Sequence, residues 1–358
     1  MEAFTTALLR DPVRAANIHH ITLKSKVYRT SYGSVVGHAR TIFPYRPSEQ
    51  FWKFLEGALS LLVSAKKVKL LASESFNGTH SEYPDRFIDI IGRVFPQLGV
   101  ACLDAHLPPS VLFQLCGSWS SLTTLCAGGE LRGSRVDLSS NTFPHLRHVK
   151  LTLDLMCHIV PGRSVETIYH VGEPKGSRSF SRLKTTLRGC KTLRSARVCC
   201  CASTKDDSAD LLPAFAHDNL REFHLTVELK YNVFTSSSDK PENLQLNESL
   251  VMQALAEGAL MHFPKLEFLQ IVLSHQAFDA LHGYGINNVE SDATVNAFGA
   301  LLTSECHATL NRVVISLQPQ ENLEKGAFRF IATRSGSQWD VVVVGWDSSP
   351  LPLLKDVF

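Results

Sequence analysis

Secretory and membrane-spanning features are missing from this sequence. The opening residues, Met1 to His20, hold no apolar h-region of the length a signal peptide needs. No uninterrupted apolar run approaches the ~20 residues that cross a bilayer. The longest candidate, Val341 to Val344 between Trp339 and Trp346, reads as a strand. An excess of charge of one sign is also lacking, because 36 Lys+Arg stand against 34 Asp+Glu for a formal net charge of +2. No global field would draw the chain to nucleic acid or to an anionic membrane. The nine cysteines are scattered and odd in number, which argues against a disulfide framework. These absences predict a soluble protein with reduced thiols, cytoplasmic or nuclear.

Catalytic signatures are absent as well. Gly-x-Ser-x-Gly, Walker A and His-Glu-x-x-His do not occur. Gly172-Glu173-Pro174-Lys175-Gly176-Ser177 has phosphate-loop letters but not the Gly-Lys-Ser/Thr order that sets a lysine on the phosphates. Cys199, Cys200 and Cys201 alternate across a strand and cannot converge on one ion. The fifteen histidines are spread out, and none has an identifiable acid or nucleophile beside it. The sequence therefore implies no catalytic residue, no metal and no cofactor, and the chain is read as a non-enzyme.

What is present is a repeat. An apolar residue is followed by apolar residues at +3, +5 and often +7, as in Leu98/Ala101/Leu103, Leu122/Leu125/Ala127 and Leu146/Val149/Leu151/Leu153. The pattern continues in Leu193/Ala196/Val198/Cys200, Leu220/Phe223/Leu225/Val227, Leu266/Leu269/Ile271/Leu273 and Leu310/Val313/Ile315/Leu317, with weaker copies at Ile18/Ile21/Leu23 and Val68/Leu71. Period two puts these side chains on one face of a short strand. Phe95-Pro96-Gln97-Leu98, Phe143-Pro144-His145-Leu146 and Phe263-Pro264-Lys265-Leu266 share one lead-in. Its proline should stop a helix and bias the residue before it to extended geometry.

Helical periodicity lies between strands. It places Phe51, Phe54, Leu55, Leu59 and Leu62 on one face, and recurs over residues 250–261 and 295–302. Each helix-and-strand unit leaves an apolar face that only a stacked neighbour can bury. The leading residues Leu98, Leu122 and Leu146 are 24 apart, inside the ~20–29 range of leucine-rich repeats. Other spacings of 44 to 50 require an insertion or an unseen copy. The fold expected is α/β, a degenerate leucine-rich-repeat solenoid or horseshoe with a curved parallel sheet. It forms one domain over residues 1–358, with repeats over about 8–320 and a C-terminal hairpin cap over about 326–347. A (β/α)₈ barrel enzyme is the rival, but its units run to ~30 residues or more and its strands are apolar on both faces.

The Phe-Pro-x-Leu lead-ins and Leu-x-x-Leu-x-Leu strands resemble the repeat region of fungal F-box/leucine-rich-repeat proteins. The opening Leu8-Leu9-Arg10-Asp11-Pro12 through Ile18-His19-His20-Ile21-Thr22-Leu23 is similar to the segment after the F-box in that family. The resemblance implies repeats that bind a substrate protein for a cullin ubiquitin ligase, reached through an adaptor that the F-box holds. No Leu-Pro-x-Glu-type F-box stands in the opening residues, so the adaptor contact has no residues here to carry it.

Alternation assigns the binding face. If +3, +5 and +7 point inward, then +2, +4 and +6 point out on the concave side. Position +4 gives Cys102, Cys126, Lys150, Arg197, His224, Gln270 and Val314; position +2 gives Val100, Thr124, His148, Ser195, Glu222, Phe268 and Arg312. Nine basic residues and no acidic one occur between Lys175 and Lys205, including Arg194. The expected partner-binding set is therefore His148, Lys150, Arg194, Arg197, His224 and Phe268. It suits an acidic or phosphorylated protein segment with an apolar side chain near Phe268. Few aromatics interleave with these cations, which disfavours single-stranded nucleic acid. A basic-patch scaffold unrelated to ubiquitination would use the same residues.

Overall fold

A short turn leads into nearly every strand. In the computed structural model the amide of the leading residue donates to the carbonyl three residues earlier. Ala65 pairs in this way with Leu62, Leu98 with Phe95, Leu122 with Trp119, Leu146 with Phe143, Leu193 with Cys190, Leu220 with His217 and Leu266 with Phe263, at 3.0–3.3 Å. Each of these earlier residues is buried, so the repeat has a further core position at −3. Pro96, Pro144 and Pro264 occupy the second position of the turn, where a φ near −65° is already in place. One part of the proline expectation fails. Phe143 is not extended but left-handed, with φ 62°. The bend is secured by Arg163, whose guanidinium lies 5.6 Å over the Phe143 ring. Arg163 Nε donates to the Thr142 carbonyl at 2.8 Å, and Nη1 to Pro161 at 3.2 Å.

The structure describes residues 2–24, 48–71, 85–104, 117–128, 142–171, 177–202, 215–229, 263–275, 302, 309–319 and 328–344. The expected helix over 250–261 lies outside them, as does that over 295–302 apart from Leu302. The chain divides into two compact units, residues 1–165 and 166–357.

The first unit opens with helices α1 (Glu2–Arg10) and α2 (Pro12–Ala16). Its strands are β1 (His20–Lys24), β2 (Lys67–Leu71), β3 (Val100–Asp104), β4 (Thr124–Ala127) and β5 (His148–Thr152). They lie side by side in chain order, all parallel. Helix α3 (Glu49–Leu59) starts where Ser48 Oγ accepts the Phe51 amide at 3.2 Å. It buries Trp52, Leu55, Ala58 and Leu59, whereas Phe54, expected in the core, is 41% exposed. Helix α4 (Asp85–Val94) buries Phe87, Ile88, Ile90 and Ile91. Helix α5 (Leu153–Ile159) begins directly after β5. Leu153, expected at +7 of a strand, is therefore its first helical residue.

In the second unit β6 (Thr167–Val171), β7 (Ser195–Ala202), β8 (Glu222–Leu229), β9 (Phe268–His275) and β10 (Arg312–Pro319) are parallel and in chain order. Helix α6 (Ser177–Arg188) precedes β7 and buries Leu183 and Leu187. The C-terminal hairpin is present, with β11 (Phe328–Ser335) and β12 (Gln338–Val344) antiparallel and β11 paired to β10. Gly336, first of the two turn residues, has φ 66°, the left-handed value a type II′ turn requires there. In neither unit do the first and last strands pair, so neither closes into a barrel.

The register identifies the core rows and corrects two of them. Leu225, Ile271 and Ile315 are cross-strand partners and all buried, as are Leu103, Ala127 and Leu151. Val68 pairs with Ala101, so it is a +3 residue and the leading residue of its copy is Ala65. The spacing of 47 between Leu146 and Leu193 hides a whole copy, with Val165 leading, Ile168 at +3 and His170 at +5. The spacings of 46 and 44 that follow Leu220 and Leu266 are insertions, because β8 pairs directly with β9 and β9 with β10.

Candidate functional site

Two faces carry the candidate residues, one in each unit. In the first unit the core rows take one side of the sheet, and the +2 and +4 residues take the other. The +4 row runs Thr22, Lys69, Cys102, Cys126 and Lys150 across β1 to β5, each in register with the next. The +2 row runs His20, Lys67, Val100, Thr124 and His148. His148 and Lys150 are thus on the expected side, both half-buried. Lys67 and Lys69 join them, and sequence reasoning missed both because β2 was set out of phase. The buried residue at −3, Leu62, would have corrected it.

The middle of this face is a pair of thiols. Cys102 and Cys126 are 7% and 8% exposed and hydrogen-bonded to each other. The bond from Cys126 holds the Cys102 thiol down to about 7, with Lys67, Lys69 and Lys150 assisting and burial opposing. Cys126 is pushed far up, first by that same bond and then by burial. Lys69, in register beside Cys102, joins Lys67 and Lys150 in favouring the ionised form at Cys102 over Cys126.

In the second unit the +4 row reads Tyr169, Arg197, His224, Gln270 and Val314. The +2 row reads Thr167, Ser195, Glu222, Phe268 and Arg312. Arg197 stacks over Tyr169 with 4.8 Å from guanidinium carbon to ring centroid. Arg312 lies 5.8 Å over Phe268, and the His224 ring meets Phe268 edge-on at 5.0 Å. Tyr169 was missed because its strand was missed. The rows supply the aromatic interleaving that the sequence between Lys175 and Lys205 lacks.

His224 does not contribute a charge to this face. Its Nδ1 donates to Gln270 Oε1 at 2.8 Å, and burial pushes its pKa below the usual imidazole value. The Gln270 bond and Glu222 oppose that shift, while Arg197 adds to it. Arg194 is not on this face in line with Arg197. It occupies the +1 row, where backbone bonds link Glu166, Arg194, Arg221, Glu267 and Asn311 in turn. Arg221 and Glu267 of that row form an exposed ion pair at 3.1 Å.

The expected set therefore separates. His148 and Lys150 lie with lysines and thiols in the first unit, Arg197 and Phe268 lie with aromatics in the second, His224 is buried among the latter, and Arg194 is at the strand lead-in. Among the described residues no helix is long and apolar enough to cross a membrane. No model of a known protein family matches the chain, and no curated protein matches it.

Proposed function

We propose that the chain is a degenerate leucine-rich-repeat solenoid that binds a partner protein through the polar sheet faces of its units. The partner segment carries carboxylates or phosphates. The single observation that carries this reading is the row Tyr169–Arg197–His224–Gln270, set against a fully apolar row one residue away. Arg197 lies over the Tyr169 ring and is half-buried, a part-desolvated setting in which a guanidinium binds an anion more strongly. Phe268, half-buried beside Arg312, supplies an aromatic anchor. The 24-residue spacings and the chain-ordered parallel strands favour the solenoid. Glu222 within the rows and the net charge of +2 favour a protein over a nucleic acid. A role as the substrate-recognition part of an F-box-type ubiquitin ligase rests on family resemblance alone.

The test uses the full chain, a partner recovered with it from cell extract, and the variants Lys150→Glu and Arg197→Glu. Each charge reversal should weaken binding about tenfold, and added salt should weaken the wild-type complex. Unchanged affinity in a folded double variant would remove the polar face from the account.

A further inference from the structure

Across β2 to β5 one row reads Lys69, Cys102, Cys126, Lys150, and the two thiols are its central partners. Neighbouring strands lie ~4.8 Å apart, and a disulfide spans Cα atoms ~4.4–6.8 Å apart, so this pair is within bridging range without a change of register. Both side chains project to the same side of the sheet, and both sulfurs are free thiols. We propose that Cys102 and Cys126 form an oxidation site for hydroperoxides, which closes a disulfide between β3 and β4. The oxidation needs no partner bound on the polar face.

The roles divide by environment. Cys102, beside Lys69 with Lys67 and Lys150 also acting on it, is the attacking sulfur. Its thiolate attacks the distal oxygen of the hydroperoxide and displaces the proximal one. An S–O bond forms, the O–O bond breaks, and the leaving hydroxide or alkoxide takes a proton. Sulfur is oxidised by two electrons and the peroxide is reduced. Cys126 stays protonated while it donates to the Cys102 thiolate. Once Cys102 is a sulfenic acid that anion is gone, so the Cys126 proton is released more readily. The Cys126 sulfur then attacks Cys102, the S–S bond forms, and hydroxide leaves as water. Parallel neighbours start with their Cβ atoms wider apart than the ~3.8 Å usual in a disulfide, so the bridge should yield to a dithiol reductant.

The experiment is hydrogen peroxide treatment of the full chain at pH 7, then denaturation, alkylation and peptide mapping. The expected product is a cross-linked peptide pair holding Cys102 and Cys126, restored to two alkylated thiols by dithiothreitol. In Cys126→Ser, dimedone should label Cys102; in Cys102→Ser, residue 126 should stay reduced. Replacing both flanking lysines, Lys69→Gln with Lys150→Gln, should slow loss of the Cys102 thiol about fivefold. The wild-type map decides the matter if a variant fails to fold. Cys102 and Cys126 both recovered as free thiols, at a dose that oxidises free glutathione, would overturn the proposal. So would dimedone labelling of Cys126 in Cys102→Ser as fast as that of Cys102 in Cys126→Ser.

Discussion

In the first unit the five strands run four or five residues each, whereas β7 to β11 of the second unit run eight. Position +7 marks the difference. It holds Cys200, Val227, Leu273 and Leu317 in β7 to β10, whereas after β5 it is the first residue of α5. One further apolar position extends the alternation by a pair of residues, and the ladder extends with it. Insertion length does not follow strand length, because Ile18 and Ala65 lead the short β1 and β2 at a spacing of 47, against 46 and 44 between the long strands β8 to β10. Doubling a loop costs only about 0.6 kcal/mol in closure entropy, so short and long pairings both tolerate it. The polar faces differ as well. Short strands present lysines around a thiol pair, and long strands present arginines held on aromatic rings.

The largest expected effect separates the core rows from everything beside them. Ile271→Ala, in the middle of the long-strand row Leu225–Ile271–Ile315, should destabilise the second unit by about 2–5 kcal/mol in denaturant unfolding. A loss no larger than the ~0.5 kcal/mol of a neutral surface change would set that strand outside the core.

A smaller effect comes from the one polar residue in the +5 row. His170 is 1% exposed, its Nδ1 donates to the Cys199 carbonyl at 3.2 Å, and burial lowers its pKa to about 4. The unfolded chain binds a proton near pH ~6.5 where the folded chain does not, so folding is favoured above that pH. Stability should fall as pH drops from ~6.5 toward about 4, by roughly 2 kcal/mol at pH ~5. His224, also lowered, contributes with the same sign. Urea midpoints at pH 7 and 5 for wild type and His170→Leu measure it. An equal drop in both proteins would take His170 out of the pH dependence.

The same histidine explains what could be read from the sequence. Where large aliphatic residues stood at both the leading position and +5, as in Leu98 with Leu103, Leu220 with Leu225 or Leu266 with Ile271, the strand, its face and its register partners were legible. The hairpin was legible too, because Gly336 with Ser337 separates two apolar runs. At β6 a histidine at +5 and Gly162 at −3 broke the pattern, and Tyr169 was lost with the strand. At β2 the leading residue is Ala65, too small to stand out, so Val68 took its place and Lys67 and Lys69 went unread. Period two identifies which residues share a face, and a slip in the leading residue moves all of them to the other side. Arg194 shows a different limit. A basic run in sequence says nothing of which row each member joins.

The most direct test of the account is the alternation itself, read along β9 by single cysteine substitutions from Leu269 to Val272 and labelling with a hydrophilic maleimide, each adduct mapped by mass. The account predicts modification of Gln270→Cys and Val272→Cys in the folded protein and protection of Leu269→Cys and Ile271→Cys. Protection at 270 and 272 with labelling at 269 and 271 would contradict it, because every residue assigned to the polar face would then belong to the core.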